Sequence, residues 1–279
     1  MRLLIVRAQG GLCNRMRALL SGVSYAEQTG RRFAFTWVRG PDFEPRLDDL
    51  WENPYRELPS RAVSVLARAV GGYTAHTDIH GDLSARILIT NSNEIIAGAD
   101  PGIVPWIDRL RALPLHPDLR ERIRAAEATW PTDRPVVGVM IRRQRAHDET
   151  VAASPITWFT DRMAAIRAVR PEVAFFLSSD DAETSAAVRD RVGDVLELAG
   201  KSTYNSTGGV QDAVCDLYLL ASTNYLLGSH YSSFSHTAAD LAGHGGYETS
   251  RREPATDLRS CLDCPRVPCR PASAASRTG

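Results

Sequence analysis

Val136-Val137-Gly138-Val139-Met140-Ile141-Arg142-Arg143 decides the fold: a short, wholly apolar run that breaks off into two arginines. An apolar run of that length, bounded by Pro135 on one side and charge on the other, reads as a strand buried on both faces. Buried strands of this kind belong to parallel sheets covered by helices, which place their ligand contacts at the carboxyl ends of the strands. Guanidinium groups pair with phosphate oxygens two at a time and stay charged in a closed site. The alternative reading of the same residues is a solvated strand end with two surface arginines.

The segments downstream continue the pattern. Ile156–Val169 has helical spacing, Ala174–Ser178 is a strand, Asp181–Val192 and Asp212–Ser222 are helices, Tyr225–Gly228 is a strand, and Phe234–Leu241 is a final helix. Each strand is short and apolar and runs into polar residues. Leu226-Leu227-Gly228-Ser229-His230-Tyr231-Ser232-Ser233-Phe234 repeats the strand-into-polar-turn pattern with hydroxyls. Ser232 or Ser233 is expected to cap the following helix, whose first amides would face phosphate or solvent. Asp148 and Glu149 follow the arginine pair closely enough to bring a carboxylate to the same place.

Upstream, Leu3–Val6 is a first strand, followed by Gln9-Gly10-Gly11-Leu12-Cys13-Asn14-Arg15. Met16, Leu19, Leu20, Val23 and Ala26 recur at helical spacing, Gly30 closes that helix, and Phe33–Trp37 is a second strand. Adjacent glycines between strand and helix admit backbone amides to an anion, with Asn14, Arg15 and Arg17 beside them. A tight turn needing a positive φ explains the same glycines. Residues 40–60 read as loop, 86–90 as a strand, 105–128 as helical turns, and 125–135 as a connection between domains. The sequence thus divides into an α/β domain at 1–130, a Rossmann-like domain at 131–250, and an Arg/Pro/Cys-containing tail at 251–279 that reads as loosely ordered.

Composition narrows the function. The 279 residues balance 33 basic against 33 acidic side chains, so no net field recruits nucleic acid or an anionic membrane. Nearly all the positive charge is arginine, and Lys201 is the only lysine. The apolar run at the N-terminus is too short for a signal-peptide core or a membrane span, and no other stretch is long enough to span, so a cytoplasmic protein is expected. Five cysteines, odd in number and unevenly placed, argue against a disulfide framework. Cys261, Cys264 and Cys269 could supply three zinc ligands, but the second pair of a zinc motif is missing, and free thiols are the simpler reading.

Four segments in order, GGLCNRMRAL, VGVMIRR, FFLSSDD and DLYLLASTNYLLGSHYSSFSHTAADL, resemble the fucosyltransferases of the nodulation-factor and core α1,6 type. The resemblance implies a GT-B architecture, two Rossmann-like domains facing a cleft. It also implies an inverting, metal-independent transfer from a nucleotide sugar, GDP-fucose or a relative, with no further cofactor. By motif position Arg142 and Arg143 match diphosphate-contacting arginines, Ser233 a phosphate contact, and Asp216 a carboxylate that reads the base. Glu149, allowing a one-residue gap, falls near a carboxylate proposed as general base. Gly10, Gly11, Asn14 and Arg15 complete the expected donor-binding set with Asp181, Asp216, Tyr231, Ser232 and Ser233. Two positions depart from the family: Met140 stands where a histidine near the guanine is usual, and Cys13 replaces a glycine. These departures favour, as alternatives, another sugar nucleotide or a protein that binds the donor without turnover. The acceptor is left open among a glycan, a peptide and a small natural product.

Overall fold

The computed structural model describes residues 2–74, 85–96, 102–144, 148–243 and 245–269. The chain splits into two compact units: Met1–His116 with the short stretch Asn205–Val210, and Pro117–Tyr204 with Gln211–Arg270.

In the first unit β1 (Leu3–Ala8) lies between β2 (Arg32–Trp37) and β3 (Ile87–Ser92), all parallel, with Arg7 in register with Thr36 and Asn91. Helix α1 (Leu12–Gln28) covers the sheet with the face its periodicity predicts, since Met16, Leu19, Leu20, Val23 and Ala26 are all buried. It ends as expected at Gly30, which takes φ +62° while Arg31 N–H reaches back to Ala26 O. Gly22 is required by packing, because a Cβ there would lie 2.6 Å from Val6 Cγ2. Helix α2 (Ser60–Ala69) packs Val63 and Ala67 on the opposite cluster with Ile5 and Ile89, and α3 (Trp106–Ala112) follows.

The second unit begins with α4 (Pro117–Ala128) and carries a four-stranded parallel sheet. Strands β4 (Val136–Ile141), β5 (Ala174–Ser179), β6 (Tyr225–Gly228) and β7 (Tyr247–Glu248) run in the order β5-β4-β6-β7. Every residue of β4 is buried, as its unbroken apolar run requires. The helices are α5 (Asp148–Ala152), α6 (Ile156–Val169), α7 (Ala182–Val192), α8 (Thr207–Ala221, which belongs to this unit from Gln211 onward), α9 (Ser233–Ala242) and α10 (Leu258–Asp263). The α/β class with parallel sheets is the one the sequence predicts.

Three elements differ from that reading. Helix α8 starts five residues earlier, through Gly208 and Gly209, where propensity opposes a helix but burial of Val210, Val214 and Leu217 favours one. Strand β7 is only two residues long and carries no periodicity. The segment after 251 is not loose over its described length: α10 places Cys261 and Leu262 in the core with Phe159, Met163 and Tyr225. Beyond it Arg266 lies over the Trp130 ring, and Cys269 N–H donates to Ser222 Oγ at 2.8 Å. Cys261 is buried, Cys264 exposed and Cys269 between. Among the described residues no three His, Cys, Asp or Glu side chains are placed to hold a metal. Among them, too, no helix is long and apolar enough to cross a membrane.

Candidate active site

The carboxyl edge of the second sheet gathers the polar residues that the sequence singles out. Arg142 and Arg143 leave β4 there, and each is fixed through its backbone. Arg142 N–H donates to Ser229 Oγ at 3.0 Å, and Arg143 N–H donates to Asp180 Oδ1 at 2.7 Å. Ser229 in turn donates its own N–H to Met140 O, which locks the serine turn after β6 to the end of β4. A second bridge runs through Ser154, whose carbonyl accepts from Arg143 Nη2 at 2.9 Å while its hydroxyl accepts from His230 N–H at 2.8 Å. Strand end and serine turn are therefore one rigid piece. Ordinary hydrogen bonds contribute roughly 1 kcal/mol each, so the pair of bridges matters more for position than for stability.

The guanidiniums themselves are only partly engaged. Arg142 Nη2 donates to the Tyr204 hydroxyl at 3.3 Å. Arg143 Nη1 is buried with no hydrogen-bond partner among the described residues. Burial lowers its pKa, with Asp180 and Asp181 opposing the shift, yet an arginine remains a cation at neutral pH. A buried, charged donor without an acceptor is costly.

The two aspartates of Ser178-Ser179-Asp180-Asp181 divide their work. Asp181 caps α7, accepting from Thr184 N–H at 2.8 Å and Thr184 Oγ1 at 2.6 Å. Asp180, which the sequence reading passed over, holds the arginine strand end. Burial raises its pKa, the N–H groups of Arg143 and Gln144 and the charge of Arg142 hold it down, and its Oδ2 has no partner among the described residues. Ser154 was missed as well, and nothing in its Ser-Pro setting separates it from an ordinary helix approach.

In the serine turn Tyr231 takes φ +56° and its ring is exposed. Ser232 occupies the N-cap position of α9 but does not cap it. Its hydroxyl lies 3.9 Å from Met140 Sδ, so Ser232 supplies no side-chain cap to the first-turn amides that begin at Ser233. Gly228 is forced by close packing, since a Cβ there would sit 2.6 Å from both Ser235 Cβ and Tyr247 Cε2. Asp216, on α8, is buried and accepts from Ser178 Oγ at 2.7 Å and Lys201 Nζ at 2.8 Å. Glu149 is exposed on the short helix α5.

Within the first unit, Gly10 takes φ +85° and Gly11 is the N-cap of α1 with no side-chain cap. Asn14 is half-buried, its Oδ1 accepting from Arg17 Nη2 at 2.7 Å. Arg15 is directed inward. It is 4% exposed, donates to Gly10 O, Ala8 O and Val38 O, and stacks 3.9 Å from the Phe43 centroid. Burial, with Arg7 adding to it, pushes its pKa down to about 10. Its role is to hold the glycine turn from beneath.

This fold is shared with solved fucosyltransferases. Fucosyltransferase NodZ from Bradyrhizobium superposes with a TM-score of 0.62 at 18% identity, over 85% of this chain and 92% of that one. A NodZ α-1,6-fucosyltransferase crystal soaked with GDP-fucose gives 0.60 at 17% identity, with the same coverage. POFUT1 in complex with GDP gives 0.57 at 12%, over 90% of this chain and 99% of that one. A scan of protein-family models and a search of curated protein sequences find no match.

Proposed function

We propose that the protein is an inverting, metal-independent glycosyltransferase that moves a sugar, fucose from GDP-fucose, onto an acceptor hydroxyl. The observation that carries this reading is the anchored arginine pair, with an incompletely satisfied guanidinium, beside an uncapped helix N-terminus. Its support is a fold shared with fucosyltransferases, some of them solved with GDP or GDP-fucose.

The acceptor oxygen attacks the anomeric carbon as the bond to the β-phosphate oxygen breaks, and the electron pair departs with the nucleoside diphosphate. Negative charge grows on that leaving group. Arg142, Arg143 and the first amides of α9 stabilise it, and they are already oriented by Ser229, Asp180 and Ser154 before the charge appears. Glu149 accepts the acceptor's proton. Asp216 reads the base, and Gly10, Gly11 and Asn14 belong to the donor-binding set.

Arg142→Ala tests the reading. GDP release from GDP-fucose is expected to fall by about 10²–10³-fold, as when one charge-stabilising donor is deleted, with the unfolding transition unchanged. Wild-type turnover in that variant rejects the proposal. Tight GDP binding with no release in the wild type would instead identify a donor-binding protein without turnover.

A further inference from the structure

Lys201 is the one lysine in the chain, and the proposed chemistry does not use it. Its ammonium donates to Asp216 Oδ2 at 2.8 Å and to Ser179 O, at the last residue of β5, at 3.3 Å. An ammonium has three N–H donors, so one remains without a partner among the described residues. The side chain is 28% exposed, against 5% for Asp216, so the cation faces outward and the carboxylate inward.

The strand register places this pair. Met140 is aligned with Ser178 on β5 and with Gly228 on β6, and residues aligned across parallel strands point to the same face. The Ser178 hydroxyl donates to Asp216 Oδ2, and the Ser232 hydroxyl touches Met140 Sδ. Met140, Ser178, Asp216, Lys201 and Ser232 therefore share one corner, the corner in which the resemblance sets a histidine against the guanine. A thioether has no N–H to give. Lys201 does, and it stands beside a carboxylate whose Oδ1 is buried without a partner among the described residues.

We infer that Lys201 is the specificity-determining donor of the base subsite, replacing the histidine that Met140 displaces. It pairs with the lactam carbonyl of an oxopurine while Asp216 takes the neighbouring ring N–H. This rests on the reading of Asp216 as the base-binding carboxylate. An adenine edge presents an amino group and an unprotonated ring nitrogen, and meets two mismatches there.

The experiment uses the full chain with GDP, IDP and ADP in thermal-shift and calorimetric titrations. IDP keeps the lactam edge of guanine and lacks its amino group. GDP and IDP are expected to bind within a few-fold of each other and at least tenfold more tightly than ADP. Lys201→Met is expected to lose about tenfold for GDP and IDP while ADP is unchanged, and Lys201→Arg to restore most of the preference. Because no other lysine competes, reductive methylation of the wild type, resolved by peptide mapping from the α-amino group, reads Lys201, and GDP should protect it. A GDP-to-ADP ratio unaltered in Lys201→Met, or methylation unaffected by GDP, overturns the inference even if the enzyme transfers sugar. Failure of the wild type to bind any of the three nucleotides removes the functional reading as well. Should Lys201→Met not fold, protection in the wild type decides.

Discussion

Gly228→Ala tests whether the serine turn is held from behind. Gly228 does not need a left-handed backbone, so the substitution acts only through space. The new Cβ would stand 2.6 Å from Ser235 Cβ, 2.6 Å from Tyr247 Cε2 and 2.8 Å from Ser235 Oγ, where carbon atoms require about 3.5 Å. Neither neighbour can yield by rotating a flexible tip: one is the first side-chain atom of a helical residue, the other a ring atom of a buried tyrosine. Helix α9 must shift, and with it the Ser235 hydroxyl that donates to Ser229 O and Ser232 O and meets the Tyr247 hydroxyl at 3.0 Å. Overpacking of this kind costs about 1–3 kcal/mol, and with two clashes on rigid atoms the upper half of that range applies. At roughly 2–4 °C per kcal/mol for a chain of this size class, thermal unfolding should drop by about 4–12 °C. Because Ser229 receives the Arg142 N–H, GDP affinity should fall as well. Gly40→Ala is the control, since a Cβ there meets nothing within 4 Å, and it should unfold with the wild type. If Gly228→Ala melts with the wild type and binds GDP equally well, the packing argument is wrong.

Two further outcomes separate neighbouring groups. Asp181→Ala removes the cap of α7 and should cost about 1 kcal/mol in urea denaturation while leaving donor turnover nearly intact, whereas Asp180→Ala should depress turnover by removing the acceptor of the Arg143 N–H. Burial raises the pKa of Asp216 above 3.8, with Lys201 and Ser178 opposing and Asp212 reinforcing the shift. The folded state thus holds its proton to higher pH than the unfolded chain, and this group's contribution to stability falls as pH rises through that window. The acid limb of GDP affinity should accordingly lie above pH 3.8, and calorimetry of Asp216→Asn should find that limb flattened.

Much of this architecture is legible in the chain because its strands and helices carry their own periodicity. The run 136–141 reads as a covered strand, and the spacing of Met16, Leu19, Leu20 and Val23 marked a helix, although the fold buries every residue from Ala18 to Ala26 and not one face alone. Strand β7 and helix α10 escaped because two residues make no pattern, and because arginine, proline and serine around Cys261 and Leu262 conceal a pair that only tertiary packing makes apolar. The arginine pair was legible from its position at a strand end. The division between Asp180 and Asp181 was not: identical neighbours are told apart only by which one follows the strand and which one starts the helix. The burial of Arg15 was not legible for a similar reason, since its inward turn depends on Val38 and Phe43, which are distant in sequence.

Helix α10 also fixes an order of events in biosynthesis. The sheet of the second unit can assemble its strands as they emerge, but the apolar cover that α6 and α7 begin around Phe159 and Tyr225 is completed only when Cys261 and Leu262 arrive. During translation the unfinished part is open to water and to other nascent chains, a natural place for a chaperone to hold on. Fusion partners or deletions that disturb the chain after residue 251 would then reduce the yield of folded protein far more than the yield of polypeptide.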